Sequence, residues 1–177
     1  MSQTDYSILF NALIEHIQSD PLLKTEVYLC KHNKLLFDSS SQMVTQALAA
    51  TMGKCLLTLS KRPWLVALQG NLGAGKTTFV KGLSAGLGLS AEEVQSPTFT
   101  YLYTYGQEFP LFHFDLYRLV NNEDFVAMGF EDYFHMNGVC CIEWSERIAS
   151  LLPRNLLTIT LAHTENNPNH RAIEFSL

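Results

Sequence analysis

The residues Gly70-Asn71-Leu72-Gly73-Ala74-Gly75-Lys76-Thr77 match the spacing G-x-x-x-x-G-K-[ST] at every fixed position. The chemistry follows from the residue types. Gly70, Gly73 and Gly75 lack side chains, so the amides of the segment can turn inward as a nest for an anion. A helix starting at Lys76 adds unpaired N–H groups and the positive end of its dipole. Lys76 supplies a movable ammonium for terminal phosphates, and the Thr77 hydroxyl is placed to ligate Mg²⁺. A plain glycine turn between a strand and a helix explains the glycines but leaves Lys-Thr in that register without a reason. The segment therefore points to a nucleoside triphosphate.

Hydrolysis or transfer of a phosphoryl group also needs acids near the metal and the attacking group. Asp115 follows the apolar run Leu111-Phe112-His113-Phe114, and Glu143 follows Val139-Cys140-Cys141-Ile142. Open α/β sheets place their sites at the carboxyl ends of strands. An acid directly after such a strand costs desolvation unless it serves a cation or accepts hydrogen bonds. Asp115 is read as a metal ligand, and Glu143 as a metal-shell or water-orienting group. The alternative for each is a cap on the following element. Ser96-Pro97-Thr98 occupies the place of a phosphate-sensing segment, with Thr98 toward phosphate or Mg²⁺; a Pro-stiffened strand entry fits equally well. His113 shares a strand face with Asp115, where a structural histidine is the simpler reading. Trp144 could stack on a base or partner, although packing is the commoner fate of tryptophan.

These groups need a scaffold. Trp64-Leu65-Val66-Ala67-Leu68 reads as the strand before the loop, and Phe79, Val80, Leu83 and Leu87 give the helix after it a packing face, closed by Gly86-Leu87-Gly88. Leu9, Leu13 and Ile17 mark an amphipathic helix over about 5–19, ended by Asp20-Pro21. Glu26–Cys30 and Lys34–Phe37 suggest a strand pair with His32-Asn33 at the turn. Ser41 suits the N-cap of a helix over Gln42–Lys54, with Val44, Leu48 and Met52 on one face. Alternation over Thr98–Tyr105 predicts a long strand, Leu111–Asp115 the next, Glu123–Phe134 a helix, and the continuous apolar run Val139–Ile142 a central strand buried on both faces. Leu156–Ala162 and Arg171–Phe175 predict closing strands joined by a surface loop over His163–His170.

The 177 residues, 47% of them hydrophobic, suit one compact α/β domain. A net charge of −5 argues against broad electrostatic gripping of nucleic acid. No apolar run is long enough to span a bilayer, and residues 1–5 lack the form of a secretion signal. Cys30, Cys55, Cys140 and Cys141 form no C-x-x-C pair and read as reduced core thiols of a cytoplasmic protein.

Four segments occur in order: Gly70 to Thr78, Ser96-Pro97-Thr98-Phe99, His113-Phe114-Asp115-Leu116-Tyr117-Arg118-Leu119 and Ile142-Glu143-Trp144-Ser145-Glu146. With Met128-Gly129-Phe130-Glu131-Asp132-Tyr133-Phe134, this set closely resembles the bacterial TsaE (YjeE) family over about Ser41 to Leu161. The resemblance implies a P-loop NTPase-like α/β fold with a mixed sheet flanked by helices. It implies an ATPase that uses ATP and Mg²⁺, is slow alone and works with the TsaD–TsaB heterodimer, meeting tRNA only through that complex and supporting threonylcarbamoylation of adenosine beside the anticodon. Carried onto this chain, it makes Thr77 the Mg²⁺ ligand, Asp115 the Walker-B-like acid, Glu143 the second acid near metal and water, and Thr45 a position near adenine. Lys76, Asp115 and Glu143 are the expected catalytic groups, and Gly70, Asn71, Leu72, Gly73, Ala74, Gly75, Lys76, Thr77, Thr78, Thr98 and Thr45 the nucleotide-binding set. Residues 1–38 are expected to be an added helical and hairpin extension packed on the core, or else a docking element, and 39–177 the ATPase domain. A small-molecule or nucleoside kinase shares the loop and the acids, but the arginines after Trp144 (Arg147, Arg154, Arg171) are scattered and do not resemble a lid. A nucleotide-gated binding module without turnover is the third class.

Overall fold

The apolar stripe near the N-terminus forms α1 (Gln3–Ser19), and its Leu9, Leu13 and Ile17 are buried. The computed structural model describes residues 3–24, 27–29, 34–59, 63–154, 156–164 and 167–177. Strands β1 (Val27–Leu29) and β2 (Lys34–Ser39) pair antiparallel as the sequence suggested; Glu26, Cys30, His32 and Asn33 lie outside the described residues. Ser41 caps α2 (Gln42–Thr58), its hydroxyl accepting from the Val44 amide. The helix runs a turn past Lys54 because Cys55 and Leu56 continue the buried face.

The phosphate-loop strand is β3 (Trp64–Gln69), followed by α3 (Lys76–Gly86). Next come β4 (Leu102–Tyr105), β5 (Leu111–Asp115), α4 (Asn122–Ala127), β6 (Val139–Glu143), β7 (Leu157–Thr164) and β8 (Asn167–Ser176). They form one eight-stranded sheet in the order β1-β2-β8-β7-β3-β6-β5-β4. Its centre, β7-β3-β6-β5, is parallel; β4 closes one side antiparallel, and β8, β2 and β1 extend the other. The C-terminal ends of β3, β5 and β6 thus meet at one edge, with β6 inserted between the other two. That is a topological switch point, where an open α/β sheet leaves a crevice.

One sheet face packs on α1, α2 and α3 around Trp64, Val66, Leu68, Phe79, Leu83 and Phe175. Tyr6 of α1 stacks edge-on against Trp64 and donates to the Leu65 carbonyl at 2.8 Å. The other face packs β5 and β6 beneath an aromatic cluster of Phe114, Phe125, Phe130 and Tyr133. Helices α2 and α3 approach closely through glycine. A Cβ on Gly82 would lie 2.3 Å from the Gln46 carbonyl, and one on Gly86 2.1 Å from that of Ala50. Gly86 therefore serves packing inside the helix, and Gly88, at φ 77°, makes the left-handed exit.

Three expectations need correction. The long strand over Thr98–Tyr105 is confined to Leu102–Tyr105. Tyr101 takes φ 64°, and the Thr100 and Tyr101 amides donate to the Pro97 carbonyl, so the first half is a turn. The helix over Glu123–Phe134 is broken by Gly129 at φ 70° into α4 and a 3-10 turn, Phe130–Phe134. Of the surface loop expected over His163–His170, the described residues 163–164 and 167–170 are strand: β7 and β8 pair from Thr158↔Ser176 to Thr164↔Asn167, with a bulge at His163/Thr164. Pro168 and its asparagine neighbours sit near the tip of that hairpin, where few ladder bonds are required of them.

Candidate nucleotide site

The chain leaves β3 at Gly70, whose φ is 140° and whose absent Cβ would fall 2.3 Å from the Leu161 carbonyl of β7. Any side chain here would force the loop off the sheet. Gly75, at φ 102°, is the N-cap of α3 and turns the chain into the helix. The loop borders a cleft of about 410 Å³, lined by Leu72, Gly73, Gly75, Lys76, Thr77, Thr78, Ser96, Thr98, Asp115, Tyr117, Glu143 and Trp144. A smaller cavity of about 140 Å³ shares Gly73, Gly75 and Thr78 and adds Gln42, Thr45, Asn169 and Arg171. The predicted residues thus gather around the loop in two adjoining spaces. Thr45 lines only the smaller one, where its hydroxyl pairs with that of Ser39 at 2.8 Å. Gly70, Asn71 and Ala74 form the loop without lining either space.

Lys76 is only 4% exposed. Its ammonium donates to the carbonyls of Gly70 at 2.6 Å and Asn71 at 3.0 Å and lies 3.9 Å from the Trp144 ring centroid. Burial lowers its pKa, and the carboxylates of Glu143, Glu146 and Asp115 partly restore it. Trp144 takes φ 58°, a conformation uncommon for a bulky residue, and its ring also meets Tyr117 at 5.1 Å. The tryptophan is thus held between Tyr117 and the loop lysine.

The strand register brings the two acids side by side, Asp115 opposite Glu143 and Glu143 opposite Leu68 of the loop strand. Each acid is 3% exposed. Glu143 Oε1 accepts from Thr77 Oγ1 at 2.8 Å and lies 2.9 Å from Nε2 of the fully buried His113. An ionised carboxylate only accepts, so that nitrogen carries the proton. Asp115 Oδ1 accepts from the Tyr117 amide at 3.0 Å. Its Oδ2 accepts from Thr98 Oγ1 at 2.6 Å and from Ser96 Oγ, and those two hydroxyl oxygens are 2.7 Å apart. Two hydroxyls bring two protons to three contacts. This end of the cleft is rich in oxygen and short of protons, as a cation site is.

The hydroxyls of Thr77, Ser96 and Thr98 and the carboxylates of Asp115 and Glu143 are hard oxygen donors. Such a set suits Mg²⁺ shared with phosphate oxygens better than a softer metal. Among the described residues, no three His, Cys, Asp or Glu side chains gather as a metal cage. Cys55, Cys140 and Cys141 are buried free thiols, with burial raising the pKa of each.

Two groups at the site were undervalued in the sequence. His113 touches Glu143 directly; its alternation with Phe112 and Phe114 was the available signal. Arg171, grouped above with scattered arginines, reaches the loop from β8. No local pattern marks it, because 97 residues separate it from Ala74, whose carbonyl it meets.

A glycine loop running from a central parallel strand into a helix, with acids ending the neighbouring strands, defines a P-loop NTPase-like α/β fold. The family model described as threonylcarbamoyl adenosine biosynthesis protein TsaE matches residues 39–173. The chain belongs to the TsaE family, of tRNA threonylcarbamoyladenosine biosynthesis. A TsaE of Treponema pallidum is 53% identical over 97 residues, which span 55% of this chain and 71% of that relative. A TsaE of Bacillus subtilis is 40% identical over 111 residues, 62% of this chain and 68% of the relative. The crystal structure of Bacillus subtilis YdiB is similar with a TM-score of 0.63 at 31% identity, covering 84% of this chain and 87% of that one. Helix α1, strand β1 and most of β2 precede the family match.

Proposed function

We propose that this protein is a Mg²⁺-dependent ATPase that acts with a TsaD–TsaB pair during threonylcarbamoylation of tRNA. One observation carries the reading. Lys76, Thr77, Asp115 and Glu143 converge on one cleft beside the loop amides. The family supplies the pathway, and the cleft supplies the chemistry.

The roles follow from position. The loop amides and the first turn of α3 hold phosphate oxygens. Lys76 exchanges the Gly70 and Asn71 carbonyls for phosphate, which suits a charge on a flexible stem. Thr77 and Asp115 would hold Mg²⁺, with Glu143 alongside. When bound, the ion neutralises charge on the phosphates. Glu143 orients the attacking water and accepts its proton, while His113 holds the carboxylate from the buried side. Thr45 lines the smaller cavity beside the loop, and the family resemblance is what sets this residue near the adenine. A small-molecule or nucleoside kinase would share these groups, and the fate of the terminal phosphate separates the two readings.

Phosphate release from ATP, measured for the full chain with and without the TsaD–TsaB pair, tests the proposal. A slow Mg²⁺-dependent rate that rises with the pair and vanishes in Lys76→Ala is expected. A rate unaffected by Lys76→Ala, or label found on a small acceptor instead of in phosphate, would contradict it.

A further inference from the structure

The guanidinium of Arg171 makes four hydrogen bonds, all to backbone carbonyls: Nε to Ala74 at 3.0 Å, Nη2 to Gly73 at 3.3 Å, and Nη1 to Pro168 and to His170, each at 2.7 Å. The last two fix the side chain to its own strand. The first two grip consecutive carbonyls of the phosphate loop, and Nε stands 3.9 Å from where a Gly75 Cβ would be. A peptide whose C=O is held on one side directs its N–H to the other. Holding the Ala74 carbonyl toward β8 therefore commits the Gly75 amide to the opposite side, and the grip on the Gly73 carbonyl braces the turn that the Ala74 amide closes on the Asn71 carbonyl at 3.1 Å.

We propose that Arg171 is a positioning residue of the phosphate loop, holding its turn and the Gly75 amide in place for anion binding from outside the loop. The inference rests on the nucleotide reading of the site. A planar fork suits the task because two acceptors on successive peptides need two donors in fixed relation; a lysine has one donor centre and cannot span them in the same way. β8 is itself clamped on both sides, Arg171 opposite Ser39 of β2 and His163 of β7, so the grip is anchored in the sheet rather than in a free strand.

Titration calorimetry of the full chain with ADP and with ATP·Mg²⁺ tests this, using wild type, Arg171→Lys, Arg171→Met and Arg171→Ala. Losing two charge-assisted bonds that hold the loop should weaken both nucleotides by about tenfold or more in Arg171→Met and by less in Arg171→Lys. The loss should appear in Kd and KM rather than in kcat, because the reacting groups lie elsewhere. Millimolar guanidinium should restore part of the affinity of Arg171→Ala and none of that of Lys76→Ala. Should Arg171→Met fail to fold, Arg171→Lys carries the test. Wild-type affinity in Arg171→Lys and Arg171→Met, or a fall in kcat at unchanged Kd, would overturn the inference while leaving the nucleotide site intact. An absence of nucleotide binding in the wild type would instead remove the reading beneath it.

Discussion

The hydroxyl of Thr77 donates to Glu143 Oε1 at 2.8 Å, tying the first turn of α3 to the end of β6. The same oxygen faces His113 Nε2, so one carboxylate atom joins the phosphate loop, the β6 terminus and the neighbouring strand β5. In the proposed ATPase, that relationship would let the second acid orient a water beside the terminal phosphate.

Replacing Glu143 with Gln should therefore separate chemistry from binding. The amide keeps the shape and can still accept from Thr77, but it takes no proton. We expect kcat for phosphate release to fall by about 10²-fold or more with a small change in nucleotide affinity. Steady-state kinetics beside calorimetry read both quantities; unchanged kcat removes Glu143 from the mechanism.

His113→Leu removes the donor on the buried side of that carboxylate. A carboxylate 3% exposed then loses one of its two hydrogen-bond donors, at a cost of about 1–3 kcal/mol in urea unfolding. Turnover should fall along with stability. His113→Gln, which can present an amide donor, should recover part of both losses. Equal behaviour of the Leu and Gln variants would show that the contact is packing alone.

The pH dependence of binding should carry the mark of Lys76. Burial lowers its pKa in the free protein. A bound triphosphate adds negative charge beside the ammonium and raises it. Between the two values, binding takes up a proton, so affinity declines as pH rises through that interval and is flat below it. Calorimetry in buffers of different ionisation enthalpy measures the uptake directly. It should disappear in Lys76→Arg, whose guanidinium stays charged.

The α2–α3 contact predicts a stability effect without a direct chemical one. In Gly82→Ala the new methyl would sit 2.3 Å from the Gln46 carbonyl, a backbone atom that moves only with its helix. Overpacking of this kind costs about 1–3 kcal/mol, read as a lower unfolding midpoint. A melting curve superimposable on wild type would show that the helices separate freely.

The site was legible where chemistry is local in sequence. The loop spacing, the acids after Phe114 and Ile142, and the Ser41 cap each depend on neighbours within a few residues, and the sheet order then brought the acids into register. What escaped was set by distant partners. Alternation through Thr98 to Tyr101 reads as strand, yet Thr98 turns to Asp115 and Tyr101 takes a left-handed conformation. Gly129 was counted within a helix because nothing local separates a tolerated helical glycine from one that takes φ 70° and ends the helix. Arg171 looked idle because its loop acceptors, the Gly73 and Ala74 carbonyls, lie far earlier in the chain.

Calorimetric titration of the full chain with a non-hydrolysable ATP analogue and Mg²⁺, in the presence of the TsaD–TsaB pair, tests whether the cleft holds a nucleoside triphosphate. Saturable heat is expected from the wild type, lost in Lys76→Ala at an unchanged melting profile. No heat from the wild type under those conditions, or equal heat from Lys76→Ala, would contradict it.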